Sequence, residues 1–259
     1  MKKTFWKYSI IEIKNTFKRF FTLIILALLG IGFFVGIKAL GGDFKDTVAM
    51  YLNEQNMYDI KLVSNLGLDD DDVEALYKVE GIKEVYGSHT TDAYVTNSQN
   101  ETYTFRINSI TNNINKLDLS SGRMPINTNE CIVEENYIKQ QNVHLGDCIS
   151  IEVPSEKIDM KYNEMQIVGI AKSPLYISRE RGFSNIGNGK LKYFMYVPDE
   201  NFECDFYTEI YIKAENEKNI HTLEENYENL LEEEIKTIET IEEERTRSKK
   251  KKTFKRIYW

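Results

Sequence analysis

FFTLIILALLGIGFFVGIKAL, from Phe20 to Leu40, runs for 21 residues with a single charge, Lys38, near its end. At 1.5 Å per residue a helix of that length measures about 31 Å, enough to cross the ~30 Å hydrocarbon core of a bilayer. Lys38 can lay its stem along the helix and place its charge at the far headgroups. A cleavable signal peptide has a shorter apolar core, roughly 7–15 residues, and a small-residue cleavage site. Here the core is longer and Lys38 interrupts the small-residue pattern. A buried core helix with three glycines and no polar face fits less well still. The stretch predicts one transmembrane helix, residues 20–40.

Outward toward the N-terminus, Lys2, Lys3, Lys7, Lys14, Lys18 and Arg19 face only one acid, Glu12. Such a cluster directly before an apolar span keeps the N-terminus cytoplasmic and exports the chain beyond the span. Trp6, Ile10, Ile13 and Phe17 recur at helical spacing, with Lys3, Lys7, Lys14 and Lys18 on another face. Residues 1–19 therefore read as a basic amphipathic elbow helix lying in the cytoplasmic headgroup layer. A plain extension of the transmembrane helix is the alternative. Gly32 and Gly36 form a GxxxG pair, a weak signal for close packing of another helix.

The far end is basic too: Arg245, Arg247, Lys249 to Lys252, Lys255 and Arg256 carry no acid among them. Taking those two clusters from the 33 bases and 41 acids of the chain leaves 19 and 40 between residues 20 and 244, a net of −21. Such an acidic middle repels phosphates and argues against nucleic acid as a partner. Cys131, Cys148 and Cys204 lack CxxC spacing and are odd in number, so neither a disulfide framework nor a zinc site is expected. Pairing of Cys131 with Cys148 in an oxidising compartment and buried free thiols are both compatible with that. Richness in Lys, Asn, Ile and Tyr is a weak hint of an AT-rich bacterial genome.

Beyond Gly41-Gly42 the pattern becomes mixed. Asp43 to Asn56 reads as a helix and Tyr58 to Ser64 as an alternating strand. LDDDDVEALYKVEGI crowds acids into a first turn and places Gly81 after the last, which predicts a short helix. Asp69 to Asp72 lack the spaced ligands, central glycine and closing glutamate of a calcium loop, so capping is the better reading. Ile82–Tyr86, Ala93–Val95 and Thr102–Ile110 come next as strands, suggesting a small sheet with helices on one face.

From Leu117 a β-rich stretch begins. It contains a strand at Cys131–Val133, a short helix near Glu135–Gln140, a turn at Leu145-Gly146-Asp147, and the hairpin pair Cys148–Val153 and Met165–Ala171. Tyr176 to Lys190 reads as a flexible surface loop. Its GFSNIGNGK lacks the Lys-Ser/Thr that a phosphate loop places after its glycine. Lys192–Pro198 and Phe206–Lys213 are the last strands. Ile220 to Glu244 then repeats apolar residues every three or four positions opposite an almost solid glutamate face. That predicts a long amphipathic helix, a coiled-coil candidate or a cover for the preceding sheet. His89, His144 and His221 lie far apart and are expected at the surface. No catalytic triad, metal cluster or Walker motif stands out, so no catalytic, metal or cofactor residue is assigned and no enzyme is expected.

Three stretches resemble the permease subunits of FtsX/MacB-type ABC transporters. IEIKNTFKRFFTLIILALLGIGFFVGIKAL is similar to that family's elbow and first transmembrane helix. SGRMPINTNECIVEENYIKQQNVHLGDCISIEV resembles its external module through Gly122, Arg123, Pro125, Glu130, Leu145, Gly146 and Asp147. MQIVGIAKSP matches the strand closing the hairpin. The resemblance implies an α+β fold with an N-terminal transmembrane helix. Residues 41–116 and 200–222 would form a porter-like α/β subdomain, interrupted by a β-rich module at 117–199. A glutamate-rich helix at 223–248 and a basic tail at 249–259 would complete the chain.

It further implies a bacterial plasma-membrane permease without catalysis of its own. Its external domain would handle substrate or relay force from a separate ABC ATPase on the cytoplasmic side. Membrane lipid is an expected partner, with a second permease copy or an envelope protein as further candidates. Such permeases carry at least three further membrane helices, so this chain, ending SKKKKTFKRIYW, is expected to be a partial permease. The alternative is a single-pass anchored module that binds or regulates cell-envelope proteins.

Overall fold

The computed structural model describes residues 6–8, 11, 17–155, 157–178, 180–215, 236–238, 240 and 254–258. The chain divides into two units, Met1–Ala49 and Met50–Trp259. The first is built on α1, Phe17–Glu54, a 38-residue helix whose final residues belong to the second unit. Its residues 17–47 are exposed throughout, and among the described residues it is the helix long and apolar enough to cross a membrane. Gly41-Gly42 does not interrupt it. Two glycines cost about 2 kcal/mol of helix propensity, and the helix expected over 43–56 instead continues directly from the apolar run. Of the expected elbow, residues 6–8 and 11 are helical and exposed, and most of the rest lies outside the described residues.

The second unit opens on the last turn of α1. Asn56 ends the helix at φ +48°, a left-handed geometry that asparagine tolerates. A loop clamps this end, with Asn115 N–H donating to Asn56 O at 3.0 Å and Lys116 N–H to Gln55 O at 2.8 Å. Next comes an antiparallel four-stranded sheet, ordered β13 (Phe254–Tyr258), β1 (Ile60–Leu68), β12 (Tyr207–Ala214), β2 (Ile82–Ser88). Between β1 and β2 lies α2, Asp70–Tyr77. The acidic run starts this helix: Asp69 Oδ1 accepts from Asp72 N at 3.0 Å, and Asp72 Oδ2 accepts from Asp69 N at 2.9 Å. This reciprocal capping box satisfies two orphan donors. Leu76 of α2 packs with Ile60, Leu62, Ile210 and Ile212 on one face of the sheet, and Ile238 is buried in the same cluster.

The remaining strands close on themselves. β9 (Glu164–Lys172), β6 (Glu130–Glu134), β10 (Tyr193–Val197), β4 (Thr102–Ser109), β3 (Thr90–Thr96) and β7 (Cys148–Glu152) pair in that order, and β7 pairs back onto β9. The result is a six-stranded barrel, with β5 (Asp118–Gly122) hydrogen-bonded to β9 outside the ring. Alternate residues point inward, one strand after another: Val95, Phe105, Val133, Ile151, Ile167 and Met195 are all buried in one core. α3, Glu135–Gln141, brings Tyr137 into that core. β8 (Asp159–Met160) and β11 (Phe202–Glu203) form a short separate pair.

The α+β class stands as expected, as does one N-terminal apolar helix among the described residues, and several details differ. β3 and β4, grouped by the sequence reading with the porter-like part, belong to the barrel, so the change of sheet falls at His89 rather than at Leu117. Parallel pairing of β10 with β4, Tyr193↔Phe105, draws them in. Residues 254–258 of the expected basic tail are the edge strand β13. The glutamate-rich helix lies largely outside the described residues, where 236–238 and 240 are helical. The loop expected to be flexible is tied down: Phe183 bridges Lys190, and Gly187 N–H donates to Tyr94 Oη at 2.8 Å.

Candidate functional site

Five of the seven residues singled out in the sequence, Gly122, Arg123, Glu130, Gly146 and Asp147, converge on one strand. β9 carries β6 along one edge and both β7 and β5 along the other, through Glu130↔Gln166, Cys148↔Gln166 and Gly122↔Gly169. Gly122, at φ +82°, turns the chain where a Cβ would lie 2.3 Å from Val168 O, so only glycine fits. Arg123 then forks onto Glu130 with two bonds of 2.7 Å. The Glu130 carboxylate, almost fully buried, also accepts from Ile126 N at 2.8 Å and Asn127 Nδ2 at 2.8 Å. The Arg123 guanidinium, together with these amide donors, holds Glu130 far below the usual carboxylate range. Gly146 N–H donates to Ile167 O at 2.8 Å, and Asp147 caps its turn by accepting from His144 N at 2.9 Å.

These groups satisfy one another. The corner is a scaffold, presenting Met124, Ile126 and Leu145 to solvent at 39%, 79% and 40% exposure.

Charged side chains that the sequence reading did not single out gather elsewhere, between the four-stranded sheet and the barrel. A pocket of about 460 Å³ is lined by Ser64, Thr90, Asp92, Arg106, Thr208 and Glu209. A second, of about 230 Å³, shares Arg106 and Glu209 and adds Tyr58, Lys61 and Tyr211. On the barrel wall Arg106 clasps Asp92 at 2.7 and 3.1 Å and donates to Phe183 O at 3.0 Å. Burial works against its charge, yet the Asp92 bond wins and raises its pKa above the ordinary value. On the sheet wall Lys61 meets Glu209 at 2.6 Å, and Lys213 meets Asp59 at 2.9 Å. Alternation explains the placement: Glu209, Tyr211 and Lys213 take the face of β12 opposite to Ile210 and Ile212. No local signal marks these residues, because each pair joins positions more than a dozen residues apart. The cleft offers paired charges and hydroxyls, which suit reversible polar contact.

A third pocket, about 290 Å³, lies on the outer barrel wall, where Tyr176 stacks on Phe194 at 4.3 Å and Arg181 bridges to Glu134. Among the described residues no group of three His, Cys, Asp or Glu side chains is placed to hold a metal ion.

The histidines separate. His144 is exposed, and His221 lies outside the described residues. His89, expected at the surface, is buried where β2 leads into β3. Its Nδ1 lies 2.7 Å from Asp199 Oδ1, and its ring packs between Phe202 and Tyr207 with centroids at 5.3 and 5.2 Å. Burial alone would lower its pKa; the Asp199 bond, aided by Cys204, lifts it to about 9. The three cysteines are free thiols. Cys131 and Cys148 sit on strands flanking β9 on opposite sides, roughly 9–10 Å apart by strand spacing, which exceeds the reach of a disulfide.

Residues 20–230 match the MacB-like periplasmic core domain. The extracellular domain of the noncanonic ABC-type transporter YknZ from Gram-positive bacteria is similar in structure at TM-score 0.48 and 14% identity, covering 76% of this chain and 98% of that one. The periplasmic region of MacB from Actinobacillus actinomycetemcomitans gives 0.46 and 11%, covering 82% and 94%. No curated protein matches the chain significantly in sequence.

Proposed function

The chain belongs to the MacB-like periplasmic core domain family, and from that premise we propose that it is the membrane subunit of an ABC transporter of the FtsX/MacB type. Its N-terminus faces the cytoplasm, its second unit lies outside the membrane, and a separate ATPase drives it. The outer unit handles substrate or passes on force and has no chemistry of its own. One observation carries the reading: the family match spans residues 20–230, from inside the apolar helix to beyond the barrel strands and every strand of the four-stranded sheet except β13. The basic cluster before that helix supports the orientation.

Two measurements test it. Purification of the full chain from its native membrane in mild detergent should recover an ABC ATPase. Reproducible recovery of envelope proteins without one would instead favour the anchored binding module. Exposed Cys148 serves for orientation. A membrane-impermeant maleimide should label it on intact cells, and labelling only after permeabilisation would reverse the topology.

A further inference from the structure

The chain crosses between the four-stranded sheet and the barrel twice among the described residues. It leaves the sheet from β2 to β3 through His89, and returns from β10 to β12 through residues 198–206. The two crossings lie side by side. Thr90 N–H donates to Thr208 Oγ1 at 2.7 Å, and Thr208 Oγ1–H to Ser88 O at 3.3 Å. Ser109 N–H donates to His89 O at 2.8 Å, and His89 N–H to Ser109 Oγ at 3.1 Å. Thr90 and Thr208 also line the larger pocket, so any bend at this joint changes the width of the charged cleft.

His89 belongs to one crossing and Asp199 to the other, and their 2.7 Å contact is the ion pair that joins them. We propose that His89 and Asp199 form a charge clasp that locks the joint between sheet and barrel, and that loss of the imidazolium charge in alkaline medium frees the two parts to move. Of the titratable groups around it, Asp199 and Cys204 favour a charged imidazole. Asp199 and Glu200 come from the returning crossing, Cys204 from its end, Tyr86 from β2 and Tyr207 from β12, itself bonded to Asp70 of α2. Against burial, the bond to His89 keeps Asp199 below its ordinary value.

These directions set the sign of the pH dependence. His89 is raised from 6.5 to about 9, so the clasp is complete below about pH 6.5 and is lost as pH rises through about 9. On the acid side it persists until Asp199 protonates, below the usual carboxylate range. That the joint relays motion to or from the membrane rests on the permease reading; the clasp itself does not.

Hydrogen exchange of the full chain in detergent, alone and without an ATPase, tests the clasp independently of that reading. Between pH 7 and pH 10, after correction for intrinsic exchange, protection of peptides 86–91 and 198–209 should fall about tenfold or more, as expected for a charged hydrogen bond. Peptides from β9 should change less. His89→Gln and Asp199→Asn should show the unprotected joint already at pH 7, with no further step. A joint in His89→Gln as protected as in the wild type, or a step that survives the substitution, overturns the proposal. Should a substitution unfold the barrel as well, the wild-type titration decides. A step confined to the joint supports the clasp, and none refutes it.

Discussion

The barrel and the four-stranded sheet are built from the same kind of strand and stabilised differently. Each of the six barrel strands contributes inward apolar residues to a common core, and ring closure leaves those strands no open partner edge. Among the described side chains, the sheet packs its aliphatic cluster on one face. On its other face Asp59–Lys213 and Lys61–Glu209 are ion pairs largely withdrawn from water. Apolar packing is insensitive to small changes of charge, whereas a partly buried ion pair depends strongly on its partner. The barrel therefore suits a rigid body, and the sheet suits an element whose contacts can be exchanged.

Phe105→Ala should break the comparison most directly. It removes a fully buried ring that meets Tyr137 and Tyr193 in the barrel core. The expected loss is about 4 kcal/mol, read as a lower urea midpoint by circular dichroism. Next in size, Asp59→Ala leaves the Lys213 ammonium without its carboxylate, with Met57 O still accepting from it, removes the acceptor of Ala214 N–H, and should cost about 3 kcal/mol. Adding Lys213→Met to that variant should recover much of the loss, and failure to recover would mean the face is held by something other than charge pairing. Gly122→Ala should cost about 2 kcal/mol, from the positive φ and the contact with Val168 O. It should loosen hydrogen exchange at β5 and β9 before it affects the sheet. Asp69→Ala, which removes the cap of α2, should cost about 1 kcal/mol and act on the sheet alone.

How much of this is legible in the sequence depends on the range of the interaction. β7 and β9 are legible because burial alternates along CISIE and EMQIVGIAK. The acidic start of α2 is legible because a cap is a three-residue event. β5, with the polar sequence DLSSG, is not legible: it lies outside the ring and needs no apolar alternation. β13 is hidden because a basic strand is indistinguishable from a solvated tail by composition. Membership of β3 and β4 in the barrel depends on β10, some 90 residues on, and no periodicity records a partner. The site divides the same way. The glycine, arginine and glutamate of the corner lie within nine residues and stand out together, whereas His89 is buried by Asp199, 110 positions away. GSHTTD by itself reads as surface.

The pairing of β2 with β12 has one more consequence. Ser88 lies opposite Glu209, so these strands are the arms of a hairpin whose loop, residues 89–208, is the entire barrel. In topological terms the barrel is a cassette inserted at a turn. Bridging Ser88 to Glu209 with an Asn-Gly turn would remove it and leave the four-stranded sheet's own strand order intact. A lineage could lengthen, exchange or discard the cassette without re-threading the host sheet.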